Sequence, residues 1–366
     1  MATRSGHSPG LRRFALRIAA RAGALRLVLL LLLMLSAAAP ARSEPPLSLD
    51  SFFRENIGLD QDQIDAIRSG QAVAKALPPR TAAEIFLFGG VFIHAAPESY
   101  IHVVRDLERL RQLPGYLALG EVGEPPRLSQ LQGMAFDDDD IDSLRSCTPG
   151  DCDIQMPASF MEEIHDSVDW NARDARAQVN ALLRVTMLEM LLAYQHGGNR
   201  TLGFYNDRRE PVEVSQQLAF MLSYSSRFPT VLPQLNRYLL EYPEVRPTSI
   251  EDSFYWSKVR FGLKPTLRLL HVAITRGSGA DKVAYAVAEK QLYASHYFQT
   301  ALDLSYCVRS EDDRNAGFYL IMMLASEQSG LTRLPGSMIR RTAIGRSVSS
   351  LEKSLAAIKA TLERGN

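Results

Sequence analysis

Residues 281–308 read DKVAYAVAEKQLYASHYFQTALDLSYCV, and the reading of this stretch decides the fold. From Leu292 onward the even positions are Leu292, Ala294, His296, Phe298, Thr300, Leu302, Leu304, Tyr306 and Val308. The odd positions between them carry Tyr293, Ser295, Tyr297, Gln299, Ala301, Asp303 and Ser305. A two-residue period with one largely apolar face marks a β-strand, whose successive side chains point to opposite faces of a sheet. Upstream the phase is reversed, with Val283, Tyr285 and Val287 at odd positions. The slip falls at residues 288–291 and predicts either a β-bulge or a turn that divides the stretch.

Working outward, residues 254–261 and 267–275 also read as β, the second with clear alternation. Residues 318–325, FYLIMMLA, are apolar on both faces, as a central strand should be. The last segment carries Ile344, Val348, Leu351, Leu355, Ile358 and Leu362 at spacings of four and three, which predicts a long one-sided helix packed on a sheet. Nearer the start, residues 83–94 (AEIFLFGGVFIH) form an apolar β segment with Gly89-Gly90 inside it. Ala96-Pro97-Glu98 then opens an amphipathic helix bearing Tyr100, Ile101, Val103, Val104 and Leu107, and residues 116–122 return as a strand. Residues 157–242 are helical in character, with helices expected over 168–196, 211–224 and 233–241. The pattern predicts an α+β protein in which a helical insertion interrupts a set of antiparallel strands.

Residues 1–26 hold six arginines and no acidic residue, an unbroken apolar run follows at 27–35, and Ala39-Pro40-Ala41 supplies small residues. This predicts a secretory signal peptide over 1–41, cleaved near Ala41. The apolar run is shorter than the roughly 20 residues a membrane span needs. The protein is therefore expected to be exported, periplasmic or secreted, with 42–82 as an N-terminal linker and helices and 83–366 as the main domain. Losing six bases leaves 35 basic against 41 acidic residues, and that acidic balance argues against nucleic acid as a partner. Cys147 and Cys152 flank Pro149-Gly150, which predicts a small disulfide loop in an oxidising compartment. Cys307 reads as a buried small hydrophobe. The acidic run 137–140 reads as a helix N-terminus, since it lacks the alternating ligands, glycine and distal glutamate of an EF-hand. Glu162, Glu163 and His165 lack zinc-protease spacing, and no nucleophile elbow, P-loop or dinucleotide motif is present. Neither metal nor cofactor is expected.

The segment IHAAPESYIHVVRDLERLRQLPG resembles the opening of START-like, helix-grip domains, and the ending SGLTRLPGSMIRRTAIG followed by LEKSLAAIKATLE resembles their last strand and gripping helix. The phrases SCTPGDCDIQM, YWSKVRFGLKP and KQLYASHYF resemble a family of exported bacterial proteins with no assigned activity. The START-like resemblance implies a curved antiparallel sheet gripping a long C-terminal helix around a cavity for a lipid or other hydrophobic small molecule. Some relatives of that kind are hydrolases or cyclases. Tyr293, His296, Phe298, His271, Tyr306, Phe318 and Met322 offer the apolar and aromatic lining, with a few polar groups, that such a cavity needs. Taken one at a time, each of these side chains suits an ordinary core better. The primary expectation is a non-catalytic carrier in transient contact with a membrane. The alternative is an enzyme using His296 as acid or base, with Asp303 or Tyr297 nearby. The sequence sets no oligomeric state.

Overall fold

The computed structural model describes residues 48–112, 115–225, 233–261, 264–277, 282–310, 316–328 and 337–364. The signal peptide expected over 1–41 and most of the polar loop at 309–315 lie outside the described residues.

The chain enters through a π-helical turn, Phe52–Ile57, and then α1, Gln61–Arg68. Asp60 starts α1 with a capping box: its carboxylate accepts from the Gln63 N–H at 2.8 Å, and Gln63 reaches back to the Asp60 N–H at 3.2 Å. Strands β1 (Val73–Ala76) and β2 (Glu84–Ile93) follow. The Ala-Pro-Glu segment leads into α2 (Pro97–Arg105), and Asp106 breaks the helix and caps α3 (Leu107–Arg111) with bonds to the Glu108 and Arg109 N–H groups. Then come β3 (Tyr116–Val122) and α4 (Asp138–Leu144). The helical stretch comprises α5 (Ala158–Ser167), α6 (Ala175–Gly197), α7 (Val214–Ser225) and α8 (Pro233–Glu241), with the short pair β4 (Phe204–Tyr205) and β5 (Val212–Glu213) between α6 and α7. Five long strands follow: β6 (Ile250–Phe261), β7 (Lys264–Arg276), β8 (Val283–Ala294), β9 (Phe298–Arg309) and β10 (Phe318–Gln328). Helix α9 (Ser337–Arg364) ends the chain.

The protein is α+β, with a large antiparallel sheet and a long C-terminal helix. The sheet has eight strands in the order β1-β2-β10-β9-β8-β7-β6-β3. The apolar segment at 318–325 therefore lies inside the sheet, between β2 and β9. Strand β3 pairs with β6 at the edge far from β2, so α2 and α3 carry the chain across one face of the sheet.

Both faces of the sheet are covered. Leu270 and Val272 of β7, Val287 of β8, Cys307 of β9 and Leu320 of β10 share one buried cluster with α2 and α9. Leu269 and Ala273 of β7, Ala288 of β8, Leu304 and Tyr306 of β9 and Met323 of β10 pack into the other, with α4 to α8 and α1. All ten residues of β2 are buried in consequence. Helix α9 approaches β2 closely: a Cβ at Gly89 would meet Leu355 Cδ1 at 2.8 Å and Leu351 Cδ2 at 2.9 Å. Burial of each of those leucines contributes about 2 kcal/mol.

The stretch at 281–308 contains both of the devices its slip predicts, each displaced from the expected place. Against β7, Tyr293 pairs with Leu269 and Gln291 with Leu270, so Leu292 is the extra residue of a bulge. A tight turn at Ser295, His296 and Tyr297 then divides β8 from β9, with Tyr297 at φ 63°. From Tyr285–Cys307 to Lys290–Leu302 paired residues share parity, Glu289 and Asp303 among them, so over that span the same parity faces the same way on both strands. After the bulge the facing is offset, with odd-numbered Tyr293 on the same side as even-numbered Leu304 and Tyr306, yet the apolar–polar alternation of the sequence continues across the turn, and sequence alone sees one strand where there are two.

Cys147 and Cys152 form a disulfide with an S–S distance of 2.07 Å, and Cys307 is buried and free. Replacing both bridged cysteines by Ser is expected to lower stability by only about 2 kcal/mol, because the loop is short. Denaturant titration of the variant against the oxidised and reduced parent checks this, and a reduced parent matching the variant is the expected result. Among the described residues no helix is long and apolar enough to cross a membrane.

Candidate functional site

A cavity of about 290 Å³ opens between the sheet and the helices α2, α3 and α9. Its apolar walls come from Val103 and Val104 of α2, Leu270 and Val272 of β7, Val287 of β8, and Met322 and Leu324 of β10. Leu351 and Ile358 of α9 close the opposite side, together with Ser350 and Ser354. Three tyrosines, Tyr100, Tyr116 and Tyr255, also line it.

One wall is charged. Arg268, Glu289, Asp303 and Ser305 project from β7, β8 and β9 on the same face as Leu270 and Val287. Arg268 Nη2 lies 3.0 Å from Glu289 Oε1. Glu289 and Asp303 are register partners across β8 and β9, so their side chains stand side by side. Burial pushes the Asp303 carboxyl up to about 7, the Glu289 charge pushes the same way, and Arg268 opposes both. Burial also works against the charge of Arg268, but Glu289 and Asp303 outweigh it and its pKa is raised. Burial raises the hydroxyls of Tyr100 and Tyr116, which remain neutral donors. An apolar chamber with one ionic wall suits a molecule with an apolar body and a polar head.

The sequence candidates fall in different places. Met322 lines the cavity. Phe318 is buried on the same side of the sheet, deeper in the packing. Tyr293 and Tyr306 are buried in the opposite cluster, and the Tyr293 hydroxyl points at Met156 Sδ, 2.8 Å away. Phe298 opens β9, half-buried, and its carbonyl accepts from Gln155 and Gln291. His296 sits in the turn, 4% exposed, with Nε2 at 3.1 Å from both oxygens of Asp140 and Nδ1 at 3.2 Å from the Asp153 carbonyl. Both of its nitrogens face acceptors of the protein itself, and it ties α4 to the β8–β9 turn. Asp140, last of the acidic run, is thus drawn inside, while Asp137 pairs with Lys258 and Asp138 with Arg176.

His271 is fully buried on the far face of β7, stacked on Phe254 at 4.7 Å between ring centroids. Its Nδ1 is 2.8 Å from the Tyr194 hydroxyl, and its Nε2 is 3.3 Å from Asp252 Oδ2. The Tyr238 hydroxyl donates to the same Asp252 oxygen at 2.6 Å. These partners assign a neutral ring with its proton on Nε2. Burial lowers the His271 pKa to about 4, against the pull of Asp252. Lys290, beside it, is fully buried and donates to Asn199 Oδ1 at 2.9 Å, its ammonium 4.7 Å from the Tyr194 ring centroid. Burial brings its pKa down to about 7. This network fastens α6 and α8 to the sheet and does not line the cavity.

Sequence reasoning missed Arg268, Glu289 and Ser305 as site residues and considered Asp303 only in relation to His296. Alternation places Arg268 with Leu270 and Glu289 with Val287, while strand pairing brings Asp303 and Ser305 to the same face. Among the described residues no group of three or more His, Cys, Asp or Glu side chains is placed to hold a metal ion. No family model matches the chain, and no curated protein is found to match it.

Proposed function

We propose that the protein is an exported, non-catalytic binding protein for a small molecule with an apolar body and a polar head, held in a START-like, helix-grip manner. The observation that carries this reading is the cavity of about 290 Å³ under α9, walled by aliphatic and aromatic side chains and charged along one strip. That volume is near the lower end of the roughly 300–1,000 Å³ of ligand pockets, so the occupant is a compact molecule rather than a whole phospholipid. The antiparallel sheet, the Ala-Pro-Glu helix and the long terminal helix support the helix-grip comparison. The disulfide supports export, because such bonds persist in oxidising compartments. His296 does not line the cavity, which weakens the enzymatic alternative built on it.

Met322→Trp is expected to fill the chamber from β10 and to weaken binding of an apolar probe such as octanol by at least about tenfold, with the fold retained. Calorimetric titration of both proteins reads this directly. Solvent extraction of the purified protein followed by mass spectrometry should also release a small amphipathic molecule. An empty extract together with octanol binding that ignores Met322→Trp would remove the carrier reading.

A further inference from the structure

We infer that the polar head taken by this cavity is cationic, an organic amine seated against Glu289 and Asp303. The inference rests on the carrier reading and names its ligand class. Two carboxylates stand side by side in the wall as register partners, and Arg268 is the only cation lining the chamber among the described residues. Arg268 directs its guanidinium to Glu289 at 3.0 Å, which leaves Asp303 without a hydrogen bond from the described residues. An anionic head would meet two carboxylates and an arginine already engaged. The Arg268 Nε has no partner, but it is closed off from solvent-sized contact and offers an anion nothing. A cation completes the missing half of a second ion pair, and the rings of Tyr100, Tyr116 and Tyr255 in the same chamber favour an ammonium group over a neutral one.

The same geometry makes uptake proton-linked. The titratable groups lining the chamber with Asp303 are Glu289 on β8, Arg268 on β7, Tyr100 on α2, Tyr116 on β3 and Tyr255 on β6, while α9 contributes only Ser350, Ser354 and apolar groups and β10 only Met322 and Leu324. With its pKa raised to about 7, chiefly by burial, the empty site holds a proton at Asp303 that an arriving ammonium displaces. Affinity for an amine should therefore fall as pH drops below about 7, approaching tenfold for each unit, and affinity for a neutral alcohol should stay level.

The test is a calorimetric comparison of octylamine, octanol and octanoate on the intact protein and on Asp303→Asn and Glu289→Gln. The expected result at about pH 8 is octylamine binding at least about tenfold tighter than octanol, with octanoate weakest, and a preference that disappears in Asp303→Asn. Octanol binding as tightly as octylamine, or an amine preference surviving in Asp303→Asn, would overturn the cationic head and leave the carrier reading in place. No binding of any probe, or octanol binding indifferent to Met322→Trp together with an empty extract, would take down both. Should the variants fail to fold, proton release on octylamine binding to the parent, read in buffers of different ionisation enthalpy near pH 6, decides the matter: release supports the inference and its absence overturns it.

Discussion

Replacing Arg268 by Met is expected to lower the unfolding free energy by about 3 kcal/mol at neutral pH, the usual cost of leaving a buried charge without its partner. The side chain is only 12% exposed, its guanidinium is 3.0 Å from Glu289, and Asp303 stands beside that pair. The sign of the pH dependence follows from Asp303. Its pKa in the fold is about 7, above the 3.8 of a free side chain, so the native state holds the proton more tightly than the unfolded chain does. Its contribution to stability is complete below about pH 4 and is lost as pH rises through about 7. Arg268 is the influence that limits this loss, so the deficit of Arg268→Met should widen toward pH 8 and narrow toward pH 5. Adding Glu289→Gln and Asp303→Asn should bring the cost of the arginine change below about 1 kcal/mol, because no unpaired carboxylate then remains. Denaturant titrations at the two pH values measure all of this. A deficit that does not vary with pH would mean that Arg268 acts through packing alone.

Gly198→Ala is expected to be more damaging still, costing about 4 kcal/mol or preventing folding. Gly198 ends α6 at φ 68° and ψ −153°, a conformation that side chains with a Cβ essentially do not adopt. An added Cβ would lie 1.8 Å from the Tyr242 carbonyl oxygen and 2.9 Å from Pro243 Cδ. The displacement would not stay local. Asn199 follows directly, and its amide holds the Leu239 and Leu240 carbonyls while its oxygen accepts from Lys290. Moving Asn199 strips the buried ammonium of its closest acceptor. Gly203 is the control: it has φ 70° but nothing within 4 Å of a built Cβ, so Gly203→Ala should cost about 1 kcal/mol. Thermal or denaturant melts of the two variants compare strain alone with strain plus collision, and equal losses would sink the steric argument.

The sheet and its closing helix were legible because their signals are periodic. Leu351, Leu355, Ile358 and Leu362 fall on one stripe and are all buried, and FYLIMMLA is apolar on both sides because helices cover both sides of β10. The turn at 295–297 is invisible because the apolar–polar alternation of the sequence runs straight through it, which places His296 on a strand facing inward. It is buried, but by Asp140 from another part of the chain, and no local pattern announces a partner 156 residues away. Strand order was hidden for a related reason: β3 follows β2 closely in sequence yet pairs at the opposite edge. The site residues were obscured by emphasis. Tyr293 and Tyr306 suit a cavity wall by residue type but fill the packing on the far face. The informative residues are Arg268 and Glu289, charges on the strand faces that carry Leu270 and Val287, with Asp303 on the more polar set of the following strand.

The two covered faces of the sheet have a practical consequence for redesign. Neighbouring residues on one strand belong to separate chemical environments: Arg268, Leu270 and Val272 look into the chamber, while Leu269, His271 and Ala273 hold the helical layer in place. A combinatorial library restricted to Leu270, Val272, Val287, Met322 and Leu324 would reshape the chamber one register position at a time. Such a library leaves every contact of His271 and Lys290 untouched, so variants selected for new ligands should inherit the parent's scaffold and need no compensating changes on the other side.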